Sequence, residues 1–237
     1  MRAQTLLIPF IPYGVVSAVH CLLLIFDLPG SGYETKQLLM PALALAAVWS
    51  AWGLRPWPRR AMLLVLAAVA ASWLGDGAGL FFAALPTLPM MIAFFAIAHL
   101  CYMIVFWRAP GITGARRVPL WTLVCAVWWV VILSIVGPHS GALFFPLAIY
   151  GLVLGGTAVL STRLGPTVAW GGVLFLVSDT LLAFRLFLDA PDAVGDMVMI
   201  TYTLGQGLIV YGIVAALRRG AAGQMQDRAA APELRAG

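Results

Sequence analysis

Charge is scarce in this sequence. Only 10% of the 237 residues are charged, whereas 62% are hydrophobic. A soluble domain is typically about half apolar and a quarter charged. A chain of this composition cannot cover a water-facing surface, which excludes an ordinary soluble domain as its main body. It can cover a surface that faces lipid, so the composition predicts an integral membrane protein.

Cysteine and the common catalytic motifs are also scarce or absent. Cys21, Cys101 and Cys125 lie inside apolar stretches, and their spacing predicts neither a disulfide framework nor a metal knuckle. No GxSxG, HExxH, Walker A or GxGxxG pattern occurs, which argues against the standard serine, zincin and nucleotide chemistries. No cofactor is expected. The net charge of +5 does not indicate a nucleic-acid partner, because arginine accumulates at cytoplasmic helix ends in membrane proteins.

Apolar stretches of about 20 residues, each long enough to cross roughly 30 Å of hydrocarbon, follow one another between Pro, Gly and charged connectors. The pattern predicts an all-α, polytopic bundle of eight transmembrane helices over residues 1–219, followed by a disordered cytoplasmic tail, 220–237. The first span is expected to be retained, since its apolar segment is too long for a signal peptide. The predicted spans are 5–26, 36–54, 61–83, 89–107, 119–136, 141–162, 167–187 and 195–217.

The basic residues predict the orientation of the bundle. With both termini in the cytoplasm, every Lys and Arg except Lys36 and Arg185 falls on the cytoplasmic side, as the positive-inside rule requires. The charges therefore predict a multi-pass protein of a bacterial-type inner membrane, with both ends inside. The opposite side receives Asp27, Glu34, Asp189, Asp192 and Asp196.

Two carboxyl groups, Asp76 and Asp179, are expected deep within spans three and seven. A charged side chain there costs about 2.5–3.5 kcal/mol, so the default interpretation is a functional site that faces the bundle interior. The alternative is a protonated Asp that only bonds a neighbouring helix. Both spans run outward, and each Asp lies roughly 7–8 residues before its span ends, so the two can share one layer. Their similar frames, residues 72–76 and 178–182, suggest a 4+4 parallel internal repeat.

Other polar side chains are expected to reach the same layer. Two pairs, one in span four and one in span eight, have the i, i+3 or i, i+4 spacing that places both members on one helix face. A lysine opens span two, and an arginine near the end of span seven would suit a phosphate at the headgroup level. The substrate-binding candidates are Lys36, His99, Tyr102, Ser178, Arg185, Tyr202 and Gln206.

Two carboxyl groups in a low-dielectric site predict acid–base chemistry. They resist simultaneous ionisation, so one is expected to hold its proton near neutral pH and act as an acid. The other, kept ionised by a nearby Lys or His, can position water or stabilise a developing cation. An acid together with a base is what hydrolysis of an acid-labile ether requires.

Five short motifs, in sequence order, resemble the YhhN-like lysoplasmalogenase family. The resemblance implies an eight-span membrane hydrolase that cleaves the sn-1 vinyl ether of a lysophospholipid, releasing a fatty aldehyde and a glycerophospho-alcohol. It also implies that Asp76 and Asp179 are catalytic. The sequence departs from the family pattern at Gln37, where many members have Pro. The motifs are Lys36, Gly75-Asp76, Ala98-His99-x-x-Tyr102, Phe175-x-x-Ser178-Asp179 and Tyr202-x-x-x-Gln206-x-Leu208-Ile209.

Three alternatives stay open at this point. His20, His99 and His139 could join an Asp around zinc in an intramembrane metal hydrolase, although their spacing is not diagnostic. Buried Asp residues also suit a proton-coupled transporter. Finally, the substrate could be an alkenyl or lysolipid ether other than a plasmalogen.

Overall fold

A computed structural model describes residues 4–29, 32–108 and 117–230. Every regular element in these ranges is helical, which confirms the all-α prediction. Short helical turns flank or join the long helices. The long helices within the described residues are α1 Ile11–Ile25, α2 Tyr33–Ala51, α3 Arg59–Asp76, α4 Thr87–Arg108, α5 Val124–Val136, α6 Phe144–Ser161, α7 Pro166–Phe187 and α8 Asp192–Ala230.

Six of these helices, α1 and α4 to α8, are long and apolar enough to cross a membrane when flanking turns are included. Helices α2 and α3 do not qualify on length and composition alone. The first turn of α2 carries two charged residues, and α3 begins with two arginines and ends with Asp76. The chain is a multi-pass helical membrane protein. The total of eight spans, the orientation and the internal repeat stay predictions, and Arg2, Arg116 and Arg235 lie outside the described residues.

One span is not the continuous helix that the sequence predicts. Helix α3 ends at Asp76, and a separate short helix, Ala78–Phe81, follows it. The expectation of one uninterrupted helix over 61–83 with Asp76 in its interior is therefore wrong. The break falls at Gly77, whose φ of −97° and ψ of 15° depart from helical values, and the Phe81 ring occupies the space that a Cβ at residue 77 would need. Asp76 is thus placed at a helix end, inside the bundle.

The last helix is longer than predicted. Helix α8 continues to Ala230 and includes residues 220–230, where the sequence predicts a disordered tail. This stretch is rich in Ala, Arg, Gln and Met, which are among the best helix formers. The rest of the predicted tail, residues 231–237, lies outside the described residues.

Helices α7 and α8 approach each other closely because glycines face one another across their contact. A Cβ added to Gly171 would lie 2.8 Å from the backbone N of Ile209 and 2.9 Å from the carbonyl O of Gly205. A Cβ added to Gly205 would lie 3.0 Å from the backbone N of Phe175. Small residues at such crossings let transmembrane helix backbones pack together. The contact holds the α7 segment that carries Asp179 against the α8 segment that carries Tyr202.

The distribution of apolar side chains fits a lipid-facing surface. Large hydrophobic residues such as Leu45, Leu63 and Phe145 are more than 60% exposed. Helix α5 lies at the periphery, where Val136 is its one buried residue. The fully buried side chains, in contrast, include large polar groups such as His99, Tyr102 and Gln206. The polarity of the bundle is therefore concentrated inside it, which is where the candidate site lies.

Candidate active site

Asp76 belongs to a group that joins three helices. Lys36 of α2 places its Nζ 3.2 Å from Asp76 Oδ1. Tyr202 of α8 donates its phenol hydrogen to Asp76 Oδ2 over 2.7 Å. The Asp76 side chain is 4% exposed and that of Lys36 is 27% exposed, so the lysine is the part of this group that solvent reaches. Burial disfavours the ionised form of this carboxyl group, and the two contacts act against that effect.

A second set of hydrogen bonds lies next to this group and joins two of its helices, α3 and α8, to α4. Gln206, one turn after Tyr202 on α8, donates from Nε2 to Ser72 Oγ of α3 over 2.9 Å. Tyr102 of α4 donates its hydroxyl to Gln206 Oε1 over 2.7 Å. Gln206 and Tyr102 are fully buried. The network fixes α3, α4 and α8 relative to one another and so sets the position of Asp76.

Asp179 lies in a different group, formed by α4, α6 and α7. Tyr150 of α6 donates a hydrogen bond from its phenol to Asp179 Oδ2. His99 of α4 has its Nε2 3.8 Å from the same oxygen, which is beyond hydrogen-bond distance. His99 is 0% exposed, and within the described residues neither of its ring nitrogens has a hydrogen-bond partner. Asp179 is 9% exposed.

Aromatic rings occupy the space between the two carboxyl groups. Phe95 packs edge-on against Phe175 and Tyr202, with ring centroids 6.3 and 5.9 Å apart. Phe175 also contacts His99 at 4.4 Å between centroids. The two groups are therefore neighbours in one interior region, separated by rings and not merged into a single chamber.

An apolar cavity of about 80 Å³ opens beside Asp179 and lies between α4, α5, α6 and α7. Its wall consists almost entirely of aliphatic and aromatic side chains. The polar groups in the wall are Asp179, Tyr150, Thr180 and the indoles of Trp128 and Trp129. Asp76 and Lys36 do not line it. The cavity suits a hydrocarbon chain that brings one reactive group to the Asp179 carboxyl.

Two predicted site residues take part in local structure. Ser178 is buried and donates to the Val198 carbonyl of α8 over 3.0 Å, which ties α7 to α8. Arg185 donates from Nη1 to the Ala190 carbonyl over 2.7 Å in the turn that follows α7. Neither side chain is among those that line the cavity.

Tyr150 is a site residue that the sequence patterns do not predict. It is a single tyrosine in an apolar span, and it is neither charged nor paired with another polar residue at helical spacing. One signal was present: tyrosines in membrane proteins favour the two interfaces, whereas Tyr150 falls near the middle of the predicted span 141–162. A phenol at that depth needs a hydrogen-bond partner, and the structure supplies Asp179.

The histidines do not converge on a metal site in the part of the chain that the structure describes. His20 Nδ1 lies 2.8 Å from Thr35 Oγ1, and His139 Nδ1 lies 3.1 Å from the Ile135 carbonyl. His99 lies beside Asp179. Within the described ranges, no group of three or more His, Cys, Asp or Glu side chains is arranged to hold a metal ion. The ligand set required by the zinc alternative is therefore not assembled there.

The fold and the buried carboxyl groups define a multi-pass helical membrane protein with a polar site inside its bundle. The model of the YhhN family matches residues 32–213, most of the chain, and the protein belongs to this family. The lysoplasmalogenase TMEM86B of Rattus norvegicus is 30% identical over 118 residues, which are 50% of this chain and 48% of the rat protein. The match thus spans about half the length of that curated relative. No solved structure matches the chain significantly.

Proposed function

We propose that this protein is a membrane hydrolase that cleaves the vinyl ether bond of lysoplasmalogen-type lysophospholipids, releasing a fatty aldehyde and a glycerophospho-alcohol. The observation that carries the proposal is the apolar cavity with the Asp179 carboxyl in its wall. Membership of the YhhN family and the likeness to a protein named lysoplasmalogenase support it. Membership of the YhhN family does not favour the transporter alternative. The zinc alternative is not favoured either, because the histidines of the described residues do not converge on a metal site.

Asp179 is the proton donor in this proposal, because it is the carboxyl group that lines the cavity. Vinyl ethers are hydrolysed through protonation of the vinyl carbon that is not bonded to oxygen. Asp179 transfers its proton to that carbon, and an oxocarbenium ion forms at the carbon that carries the ether oxygen. The alkenyl chain occupies the cavity, so that the reactive carbon lies beside the carboxyl.

His99 positions the hydrolytic water. Buried polar atoms without a protein partner are the usual sites of ordered water, and a 3.8 Å gap between two polar atoms is one that a water can bridge. Water held between His99 Nε2 and Asp179 Oδ2 adds to the oxocarbenium carbon and returns a proton to the Asp179 carboxylate. The resulting hemiacetal collapses to the aldehyde and the free alcohol, and the acid is restored.

Asp76 is the second catalytic carboxylate. Its contacts with Lys36 and Tyr202 favour the ionised form against the opposing effect of burial, so that in this proposal Asp76 carries a negative charge. That charge stabilises the cationic intermediate. Lys36, the partly exposed member of the group, is the candidate partner for the substrate phosphate, and Arg185 at the end of α7 is the second. Gln206 and Tyr102 hold the helices that carry this group.

The proposed orientation follows from the charges of the connectors. Both termini lie in the cytoplasm of a bacterial-type inner membrane, so the ends of α7 and α2 that carry Arg185 and Lys36 face outward. A single-chain lipid then reaches the cavity from the outer half of the bilayer.

The test is release of fatty aldehyde by purified protein from an alkenyl-lysophospholipid, with choline and ethanolamine headgroups compared. Two matched lipids are the controls: the acyl-lysophospholipid, which has an ester, and the alkyl-lysophospholipid, which has a saturated ether. Aldehyde release from the vinyl ether alone is the expected result. Hydrolysis of the ester at an equal rate, or no aldehyde from either headgroup, would overturn the proposal.

A further inference from the structure

We propose that Tyr150 is a positioning residue for proton transfer, which fixes Oδ2 of Asp179 as a hydrogen-bond acceptor and leaves Oδ1 to carry the proton that the substrate receives. The inference rests on the proposed function and assigns a role to a residue that neither the sequence motifs nor the family relationship identifies. It concerns a single hydrogen bond, between the Tyr150 phenol and Asp179 Oδ2.

Among the described neighbours of Asp179, Tyr150 is the one whose geometry fits this role. Both side chains line the apolar cavity, Tyr150 from α6 and Asp179 from α7. Thr180, the next residue, does not donate to the carboxyl: its hydroxyl donates to the Leu176 carbonyl and accepts from Trp128 Nε1. His99 Nε2, at 3.8 Å, is too far for a hydrogen bond. Within the described residues, the Tyr150 phenol is thus the direct hydrogen-bond donor to the Asp179 carboxyl.

A fixed donor on one oxygen determines where the proton lies. A protonated carboxyl has one oxygen that bears hydrogen and one that accepts, and the Tyr150 hydrogen bond occupies the accepting oxygen. The hydrogen of Asp179 therefore resides on Oδ1. The Tyr150 ring is itself held edge-on against His99, with centroids 5.8 Å apart. The acid thus enters the reaction with a single orientation of its proton.

The same hydrogen bond strengthens as the reaction proceeds. The Oδ1–H bond of Asp179 breaks while a C–H bond forms at the vinyl carbon, and the π electrons of the substrate form that new bond. The electron pair left on the carboxyl group gives it a full negative charge, which Oδ2 shares. Hydrogen bonds to an ionised acceptor are roughly twice as strong as those to a neutral one. Tyr150 therefore stabilises the transition state more than the ground state, which raises kcat.

The experiment compares Tyr150→Phe with Tyr211→Phe in purified full-length protein. Both variants lose one phenol oxygen, but Tyr211 lies on α8, where its ring packs against Phe10 away from the cavity. For Tyr150→Phe, kcat for aldehyde release should fall about 4- to 13-fold, because only the extra strength that the hydrogen bond gains when its acceptor becomes charged lowers the barrier. The KM and the affinity for the uncleavable alkyl-lysophospholipid should stay as in the unaltered protein. Tyr211→Phe should keep kcat.

Each other outcome counts against the inference. Unchanged kcat in Tyr150→Phe overturns the assignment while aldehyde release by the unaltered protein still supports the proposed function. Equal losses in kcat and in affinity for the alkyl ether would reduce Tyr150 to a residue that shapes the cavity. An unaltered protein that releases no aldehyde overturns both proposals.

A second variant covers the case in which Tyr150→Phe does not fold. Replacing Tyr150 by 3-fluorotyrosine keeps the ring and its hydroxyl, and makes the phenol a stronger donor. An increase in kcat, with unchanged affinity for the alkyl ether, supports the inference. A kcat that does not respond to the fluorine contradicts it.

Discussion

Lys36 and Asp76 form an ion pair of 3.2 Å that joins the first turn of α2 to the last residue of α3. Each residue is badly placed with respect to its own helix. The N-terminus of a helix disfavours a cation, and the C-terminus disfavours an anion, because of the aligned peptide dipoles. The two side chains therefore stabilise each other.

Loss of one partner of this pair should cost more than loss of both. Lys36→Met leaves the carboxyl buried, without its cation and at the negative end of a helix, whereas Lys36→Met combined with Asp76→Leu removes both charges. We expect the free energy of unfolding of the single variant to fall by about 2 kcal/mol. This is less than the roughly 3–5 kcal/mol lost when a fully buried pair is broken, because Lys36 is partly exposed. The double variant should recover part of the loss. Thermal unfolding in detergent, analysed as a double-mutant cycle, measures the coupling. Additive losses would show that the pair contributes nothing.

Asp179→Asn should abolish turnover with little effect on folding. The amide keeps the size of the side chain and can still accept from Tyr150, but it has no acidic proton to give to a carbon atom. Removal of a general acid typically costs about 10²–10⁴-fold in rate, so aldehyde release should fall by at least about 10²-fold. The matched control is Asp27→Asn, because Asp27 is exposed and its positive φ of 48° is one that Asn adopts readily. Near-normal turnover in Asp179→Asn would exclude Asp179 as the acid.

The positions of the helices could be predicted from the sequence, since apolar length and Pro, Gly and charged connectors determine them. The predicted spans 89–107 and 167–187 differ by at most two residues from α4 and α7. The end of α3 could not be predicted in the same way. Its apolar run continues past Gly77 without a polar break, and the turn there depends on the Phe81 ring, which packs against Gly77 in three dimensions.

The candidate site could be predicted only in part, for a related reason. Spacing predicts that His99 and Tyr102 share one helix face and that Tyr202 and Gln206 share another. It does not predict which of the two carboxyl groups each pair will lie against. Tyr202 contacts Asp76 and His99 lies beside Asp179 because of how α4, α7 and α8 pack. Tyr150 reaches Asp179 from α6, and no periodicity within α6 points to a partner on another helix.

Substitution of Gly171 should destabilise the protein, because no side chain fits between α7 and α8 at that point. In Gly171→Ala the new methyl group would meet backbone atoms of Ile209 and Gly205 at 2.8 and 2.9 Å, and backbone cannot move aside as a flexible side chain can. Overpacking of this kind typically costs about 1–3 kcal/mol. Gly14→Ala in α1 is the control, since nothing lies within 4 Å of its added Cβ and alanine favours helix. Thermal unfolding in detergent should show a loss of stability for Gly171→Ala and none for Gly14→Ala. Equal stability of the two variants would mean that α7 and α8 can separate at this contact without cost.

The orientation of the bundle can be measured with cysteine labels placed at two exposed turns. Gly53→Cys, after α2, and Asp189→Cys, after α7, both lie at exposed positions, and the positive-inside rule assigns the first to the cytoplasm and the second to the outside. The three native cysteines, all partly buried, are first replaced by alanine. In spheroplasts, a membrane-impermeant maleimide should label the cysteine at residue 189 at once and the one at residue 53 only after lysis. The reverse pattern would place Lys36 and Arg185 on the cytoplasmic side, and the proposed entry of the lipid from the outer half of the bilayer would be wrong.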